Sequence, residues 1–205
     1  MAYANWLKPD KTSGSGTGTV NMSATEHTGR DVRTTTVHFK ASNTEEVVRT
    51  VSQAGKPEFV DIADTATASK NGGAVLIKGY SNSYGLKFEE GYNPDSTGMD
   101  ILDIPLYYTA NSISAPTDGG AIEGDPGKVA LYEFSISVGV PSNTTVEDKT
   151  YQLVVTADNG VTDSCTITVA AGDAYIRVTP SSINITWEGA AVPVQVESNT
   201  DWSIY

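Results

Sequence analysis

Hydrophobic and polar residues alternate along several stretches of this chain. The clearest stretch has apolar side chains at every second position, namely Tyr132, Phe134, Ile136, Val138 and Val140. The same period of two recurs over residues 165–169, 183–187 and 192–196. A period of two with one apolar face is typical of antiparallel strands that pack on one side. Helical spacing is nearly absent, and we expect at most one helical turn, over residues 44–49.

Turn sequences separate these stretches at short intervals, for example Asp-Asn-Gly at 158–160 and Asn-Gly-Gly at 71–73. The chain contains 25 Thr and 20 Val against 7 Leu, which favours strands because β-branched side chains fit a pleated surface. The pattern therefore predicts an all-β protein built of antiparallel sandwiches with Ig-like topology. The predicted central core consists of Phe134, Ile136, Val138, Leu153, Val155, Ile167 and Val169.

The chain also repeats itself, in two registers. Residues 20–43 align with 136–159 without a gap, and residues 72–82 (GGAVLIKGYSN) align with 189–199 (GAAVPVQVESN). The order of these pieces predicts three units: the second half of a sandwich at 1–56, a complete sandwich at 57–173, and a first half at 174–205. A half sandwich leaves strand edges open and needs a partner. That partner is the other half of the same chain, a neighbouring subunit, or a continuation of the chain.

Short motifs in the two terminal segments resemble one family of Ig-like domains. The carboxy-terminal segment closes on Asn199-Thr200-Asp201-Trp202. The amino-terminal segment carries Trp6, the run SGSGTGTV at 13–20, Arg33-Thr34 and the ending VSQAG at 51–55. These motifs resemble the BACON domain, a Bacteroidetes-associated Ig-like module named for carbohydrate binding. The resemblance implies tandem BACON-like sandwiches with incomplete terminal repeats, and it leaves a stretch near 89–128 uncovered.

The overall charge excludes one class of partner. The chain has 13 basic against 25 acidic residues, a net charge of −12, and a pI of about 4.4. Such a chain repels phosphate groups, so we expect no nucleic-acid partner. No apolar run approaches the roughly 20 residues of a membrane-spanning helix, and no membrane partner is expected. The first ten residues contain no apolar core of a secretory signal.

The stretch near 89–128 interrupts the central repeat and carries eight acidic residues against Lys128 alone. Long loops of this kind are usually functional or disordered. Three interpretations are open: a solvated acidic loop, a calcium site, or a surface that docks a basic partner, although no EF-hand spacing occurs. The docking candidates are Asp95, Asp100, Asp103, Tyr107, Tyr108, Asp118 and Asp125. We expect deletion of this insertion to leave the fold intact.

No group of residues has the composition of a catalytic site, so no enzyme is predicted. His38 is out of phase with its apolar neighbours and is expected on a solvent face, whereas Cys165 is in phase and expected to be buried. One cysteine excludes an internal disulfide, and two histidines make a zinc site unusual. We therefore predict no metal site and no cofactor.

Sugar binding, which the family name suggests, would use exposed aromatic side chains. The candidates are Tyr80, Tyr84, Tyr92 and Trp187. They form no stripe along the sequence, and Trp187 is in phase with Ile183 and Ile185, which favours packing in a core. The sequence alone gives this hypothesis little support.

Two functions are compatible with these observations. The first is a non-enzymatic structural protein of a virion, such as a capsid decoration, head-fibre or tail component, because domains that resemble these also occur in phages of gut Bacteroidetes (crAss-like phages). It would assemble in the host cytoplasm with other structural subunits, which agrees with the absence of a signal. The alternative is a carbohydrate-binding module of a secreted glycan-degrading system, located outside the cell or on its surface, with host-surface glycans as ligands.

Overall fold

The structure is a computed structural model that describes residues 3–91, 93 and 101–205. Its regular elements in those ranges are strands, apart from one 3-10 turn at Pro126–Lys128. The helical turn predicted over 44–49 is wrong, because a strand begins at Val47. The strands are β1 (Leu7–Pro9), β2 (Met22–Ala24), β3 (Arg33–Phe39), β4 (Val47–Gln53), β5 (Val60–Ile62), β6 (Thr65–Ala68), β7 (Gly73–Ser81), β8 (Leu86–Glu90), β9 (Tyr107–Ala110), β10 (Ile113–Pro116), β11 (Tyr132–Val140), β12 (Lys149–Ala157), β13 (Thr162–Val169), β14 (Ile176–Thr179) and β15 (Gln195–Ser198).

Nine of these strands form a two-layered sandwich between residues 60 and 169. One sheet has the order β10-β9-β11-β7-β5 and the other the order β6-β13-β12-β8. All pairs are antiparallel except β6 and β13, which run parallel. The seven predicted core residues are all buried, which confirms the phase read from the alternation. The fold is therefore an all-β sandwich, as predicted.

Aromatic rings fill the centre of this core. The ring of Phe134 lies 5.9 Å from that of Phe88 and 6.3 Å from that of Tyr108, both edge to face. Phe134 stands opposite Gly79 in the β11–β7 register. A Cβ atom at Gly79 would come within 2.4 Å of the Phe134 ring, so a residue without a side chain is required there. The aromatic cluster and the glycine are one packing unit.

The insertion near 89–128 is part of the sandwich, and this corrects the expectation that it can be deleted. Its hairpin β9–β10 extends the five-stranded sheet through pairing with β11. Leu102, Tyr108 and Ile122 from this stretch are buried in the same core as Phe134. Deletion would remove two strands and part of the core, so it would not leave the fold intact.

The two terminal segments repeat the strand registers of the central sandwich. Arg33 pairs with Gln53 between β3 and β4, as Lys149 pairs with Val169 between β12 and β13, 116 residues later. In the same way, the antiparallel register of β14 and β15 copies that of β5 and β7. We call residues 3–56 the amino-terminal unit and residues 174–205 the carboxy-terminal unit.

Apolar side chains of the terminal units are exposed to solvent at positions whose counterparts in the central sandwich are buried. Phe39 is 41% exposed although its counterpart Val155 is fully buried. Trp187 is 93% exposed, so its predicted packing in a core is wrong. The physical reason is that the units have fewer strands than the central sandwich: the amino-terminal unit has two sheets of two strands each, and the carboxy-terminal unit has one, in the described part of the chain. Among the described residues, no strand pairing or hydrogen bond joins the two terminal units.

Candidate functional site

The amide side chain of Asn82 joins the amino-terminal unit to the central sandwich. Asn82 follows β7 directly and is fully buried. Its Nδ2 donates to the carbonyl oxygens of Thr28 and Lys56, both at 3.2 Å, and its Oδ1 accepts from the Phe59 N–H at 3.0 Å. One side chain thus connects a loop of the preceding unit, the linker, and the first residues of the next unit.

Arg30 adds charge to this first junction. Its guanidinium donates to both carboxylate oxygens of Asp125, at 2.8 and 2.6 Å, and to the carbonyl oxygen of Asn82 at 2.7 Å. The guanidinium also lies 5.9 Å from the ring centroid of Tyr84. Both charged side chains are largely shielded from solvent, and charge-assisted hydrogen bonds of this kind are stronger than neutral ones. The junction is therefore held by directed bonds as well as by the covalent linker.

The second junction repeats the bonds of the first. The Asn199 Nδ2 donates to the carbonyl oxygens of Thr144 at 3.0 Å and Asp173 at 2.9 Å. Its Oδ1 accepts from the Tyr175 N–H at 3.0 Å. Thr144 and Asp173 follow their counterparts at the first junction by 116 and 117 residues, the offsets of the sequence repeat.

A serine beside each asparagine completes the pattern. The Ser81 Oγ donates to the Phe59 carbonyl oxygen at 2.7 Å, and the Ser198 Oγ donates to the Tyr175 carbonyl oxygen at 2.8 Å. The two linkers form the same backbone hydrogen bond. The Lys56 N–H donates to the Gly29 carbonyl oxygen at 2.8 Å, and the Gly172 N–H donates to the Thr145 carbonyl oxygen at 2.7 Å. Both junctions therefore use one repeated device.

The two junctions differ in their charged groups. Val146 stands where the first junction has Arg30, and it is 40% exposed. The ion pair at the second junction joins Lys70 to Asp173, and both side chains are open to solvent. Exposed pairs of this kind contribute little to stability. We infer that the first junction is the stronger of the two.

The structure separates the predicted docking residues. Asp95 and Asp100 lie outside the described residues, and so does Tyr92 of the carbohydrate candidates. Tyr108 is buried in the core, so its assignment to a docking surface is wrong; it faces inward because β9 alternates and Tyr107 takes the outer position. Burial raises the pKa of the Tyr108 hydroxyl, and the neighbouring Tyr132 raises it further.

The remaining docking candidates occupy three different settings. Asp103 forms a backbone bridge with Gly139, with both N–H to O distances at 2.9 Å, and its side chain is exposed. The Asp118 Oδ1 accepts the Gly120 N–H at 2.9 Å within a turn. Asp125 does meet a basic group, but that group is Arg30 of the same chain. Asp103, Asp118 and the 61% exposed Tyr107 remain available to a partner.

Glu90 fastens the insertion to the end of β8. Its carboxylate accepts hydrogen bonds from the backbone N–H groups of Ile101 and Leu102 and from the Asn93 side chain. Burial raises the pKa of the Glu90 carboxyl, but the hydrogen bonds outweigh this effect and hold the pKa below its usual value of 4.5. The ionised form is therefore the one that organises the insertion.

Replacing Glu90 with glutamine is expected to lower the free energy of unfolding by about 1.5–3 kcal/mol at neutral pH, the range for hydrogen bonds to a charged group. Because the folded state lowers this pKa, the carboxylate stabilises the fold above pH 4.5, and that contribution is lost as the pH falls through the folded value. The difference between Glu90→Gln and the parent chain should therefore shrink in urea titrations below pH 4.5.

Glu89→Gln is the matched control, because the Glu89 side chain is half exposed and only pairs with Lys87. We expect it to change stability by less than about 1 kcal/mol. Equal effects of the two variants at neutral pH would contradict the assigned role of Glu90.

The carbohydrate candidates do not form one site. Tyr80 is 48% exposed and borders a shallow depression of about 430 Å³ together with Asp61, Lys78 and Glu133. Tyr84 lies beside Arg30 at the first junction, and the exposed Trp187 belongs to the carboxy-terminal unit. Of the described candidates, Tyr80 is the one that borders a depression lined by charged groups.

The described residues also show how the reactive groups are placed. Cys165 is buried, and burial raises the pKa of its thiol to about 11, which suits a core residue rather than a nucleophile. His38 Nδ1 lies 3.1 Å from the Glu46 carboxylate, with partial exposure. Residues 3–91, 93 and 101–205 contain no cluster of three or more His, Cys, Asp or Glu that could hold a metal. In the same ranges, no helix has the length and hydropathy needed to cross a membrane.

Sequence reasoning did not identify the junction residues. Asn82 and Asn199 were visible as the last aligned pair of the second repeat, preceded in both copies by serine. This repeated Ser-Asn pair was the sequence signal that could have indicated the junction residues. Its role depends on carbonyl groups that lie up to 55 residues away in the chain, and no local pattern indicates them.

Comparison with protein families gives one match. Residues 1–54 match the model BACON, which is described as "Putative binding domain, N-terminal". The amino-terminal segment is BACON-like. This agrees with the resemblance of its motifs, and the match ends close to the end of the amino-terminal unit at residue 56. No curated protein matches the chain.

Solved structures give weak similarities. The cadherin-like domains 1 to 4 of zebrafish RET match with 11% identity and a TM-score of 0.36, over 84% of this chain and 42% of that one. An endo-fucoidan hydrolase of glycoside hydrolase family 107 matches with 12% identity and a TM-score of 0.34, over 87% of this chain and 28% of that one. The chain spans less than half the length of either solved chain.

Proposed function

We propose that this protein is a non-enzymatic structural component of a virion, assembled with other subunits through its Ig-like units. The observation that carries the proposal is the repeated junction at Asn82 and Asn199. A flexible tether between independent modules needs no side chain that bonds both modules. A structural element that carries load or sets a spacing needs a fixed angle between its units. The hydrogen bonds of Asn82 and Asn199 would fix this angle at both junctions.

The BACON-like segment supports a binding or assembly role rather than a catalytic one. Its model describes a binding domain, and the single thiol is buried. The virion assignment within this role rests on the family resemblance. Partners would be other structural subunits, and not nucleic acid or membrane.

A second candidate function is carbohydrate binding outside the cell, and one observation favours it. The Tyr80 ring is half exposed beside a depression with three carboxylates and the Lys78 ammonium, where Lys78 and Glu133 are paired at 3.1 Å. Aromatic faces with adjacent polar groups suit sugar rings. The depression is open and shallow, which makes this the weaker candidate.

Two measurements test the proposal. Mass spectrometry of purified particles from the virus that encodes the chain should find it in a fixed ratio to the major capsid or tail subunit, and its absence would contradict the virion role.

A glycan array with the isolated chain should give no binding above background. Micromolar binding that is lost in Tyr80→Ala and kept in the control Tyr107→Ala would establish the alternative instead.

A further inference from the structure

The amino-terminal unit contains an open apolar groove. It is lined by Val20, Met22, Val37, Phe39 and Val47 and has a volume of about 890 Å³. Val20 and Met22 are each 37% exposed, whereas their counterparts in the central sandwich, Ile136 and Val138, are buried. In the central sandwich the residues that stand opposite them on the paired strand β7, Ile77 and Val75, are buried in the same core. The groove is thus the place of a β7-like strand.

The carboxy-terminal unit carries the strands that such a groove would accept. β14 and β15 correspond to β5 and the end of β7. Val192 and Val194 correspond to Val75 and Ile77, which are buried in the central sandwich, yet both are 37% exposed. The exposed apolar residues of the amino-terminal unit therefore correspond to β11 residues, and those of the carboxy-terminal unit correspond to the β7 residues that pair with them in the central sandwich.

Within one chain the two units lie too far apart to meet. Asn82, at the first junction, directly follows β7. Lys70, at the second junction, stands just before the start of β7 and pairs with Asp173. A nine-residue strand is about 30 Å long. The two terminal units are consequently attached at opposite ends of the central sandwich.

Charge also favours contact between the ends of different copies. The segment 1–56 has seven basic and five acidic residues, and the segment 174–205 has one basic and three acidic residues. The segment 57–173 has five basic and seventeen acidic residues, which accounts for the whole net charge of −12. Central sandwiches of two copies repel each other, while the oppositely charged ends attract.

We propose that copies of this chain associate head to tail, with the carboxy-terminal unit of one copy completing the amino-terminal unit of the next by strand addition. The repeat fixes the register: Val20 stands opposite Val194, Met22 opposite Val192, and Ala24 opposite Ala190 of the neighbour. Such an interface is heterologous and builds rings or filaments. The inference rests on the proposed assembly role and names its partner as a second copy.

The test mixes two single-cysteine variants, Met22→Cys and Val192→Cys, under mild oxidation. Opposed strand residues have Cβ atoms within disulfide reach, so we expect at least about tenfold more covalent dimer than with either variant alone. The control mixture pairs Met22→Cys with Leu76→Cys, since Leu76 is 62% exposed on the central sandwich. The native Cys165 is buried and does not interfere.

Sedimentation velocity of the unsubstituted chain tests the association without any variant, so its result does not depend on whether the cysteine variants fold. The inference predicts a mass that rises from 21.6 kDa with concentration. A single 21.6 kDa species at all concentrations, or a dimer yield no higher than in the control mixture, would overturn it. A monomeric chain that is nevertheless found in purified particles would overturn this inference alone and leave the virion role standing.

Discussion

Replacing Phe134 with alanine is expected to lower the free energy of unfolding by about 3–5 kcal/mol, the range for emptying a buried aromatic site. The side chain is fully buried, and its ring contacts Phe88 and Tyr108. It also covers Gly79, which has no side chain that could fill the resulting cavity. Equilibrium unfolding in urea, followed by intrinsic fluorescence, measures the loss.

Leu76→Ala is the matched control for Phe134→Ala. Leu76 lies on β7 like Gly79, but on the outer face, where it is 62% exposed. Its truncation should change stability by no more than about 0.5 kcal/mol. A loss below 1 kcal/mol for Phe134→Ala would show that the core does not depend on this aromatic cluster.

Replacing Asn82 with alanine is expected to lower the free energy of unfolding by about 1–3 kcal/mol, the cost of leaving a buried polar group without its partner. The carbonyl groups of Thr28 and Lys56 and the Phe59 N–H lose their bonds together. The linker around Lys56 should then become accessible. Hydrogen exchange at the Phe59 amide and protease cleavage near Lys56 measure this change.

Two further variants sharpen the Asn82 prediction. Asn82→Asp keeps an acceptor for Phe59 but places a negative charge against the carbonyl groups, so it should fail as Asn82→Ala does. Asn159→Ala is the control, because Asn159 also bonds across the fold, to the Glu58 carbonyl at 3.1 Å, but is exposed in a turn. Equal protease sensitivity of Asn82→Ala and Asn159→Ala would contradict the role of the junction.

The sequence predicted the central sandwich because its strands are covered on one face only. Phe134 in β11 alternates with polar residues and is buried as expected. The same alternation predicted the strand that contains Phe39, although Phe39 is 41% exposed. The strand predicted over 183–187 is wrong, because Trp187 lies in a turn. A period of two indicates which side is apolar, whereas burial requires enough neighbouring strands, and the described terminal units have sheets of only two strands.

The insertion and the junctions could not be predicted from local pattern. In the insertion, buried residues such as Leu102 and Tyr108 stand between acidic and turn residues without regular spacing. They reach the core through the hairpin β9–β10 and through the bonds of Glu90, which are tertiary features. At the junctions, Asn82 bonds to Thr28, a contact between residues 54 positions apart.

The account depends most on the claim that both junctions are one repeated and fixed device. Pulsed electron paramagnetic resonance tests it with spin labels on two exposed pairs, Thr44→Cys with Thr162→Cys and Thr162→Cys with Ser181→Cys. We predict a single narrow distance distribution for each pair. Asn82→Ala should broaden only the first distribution and Asn199→Ala only the second. Broad distributions in the parent chain, with both asparagines in place, would contradict the claim.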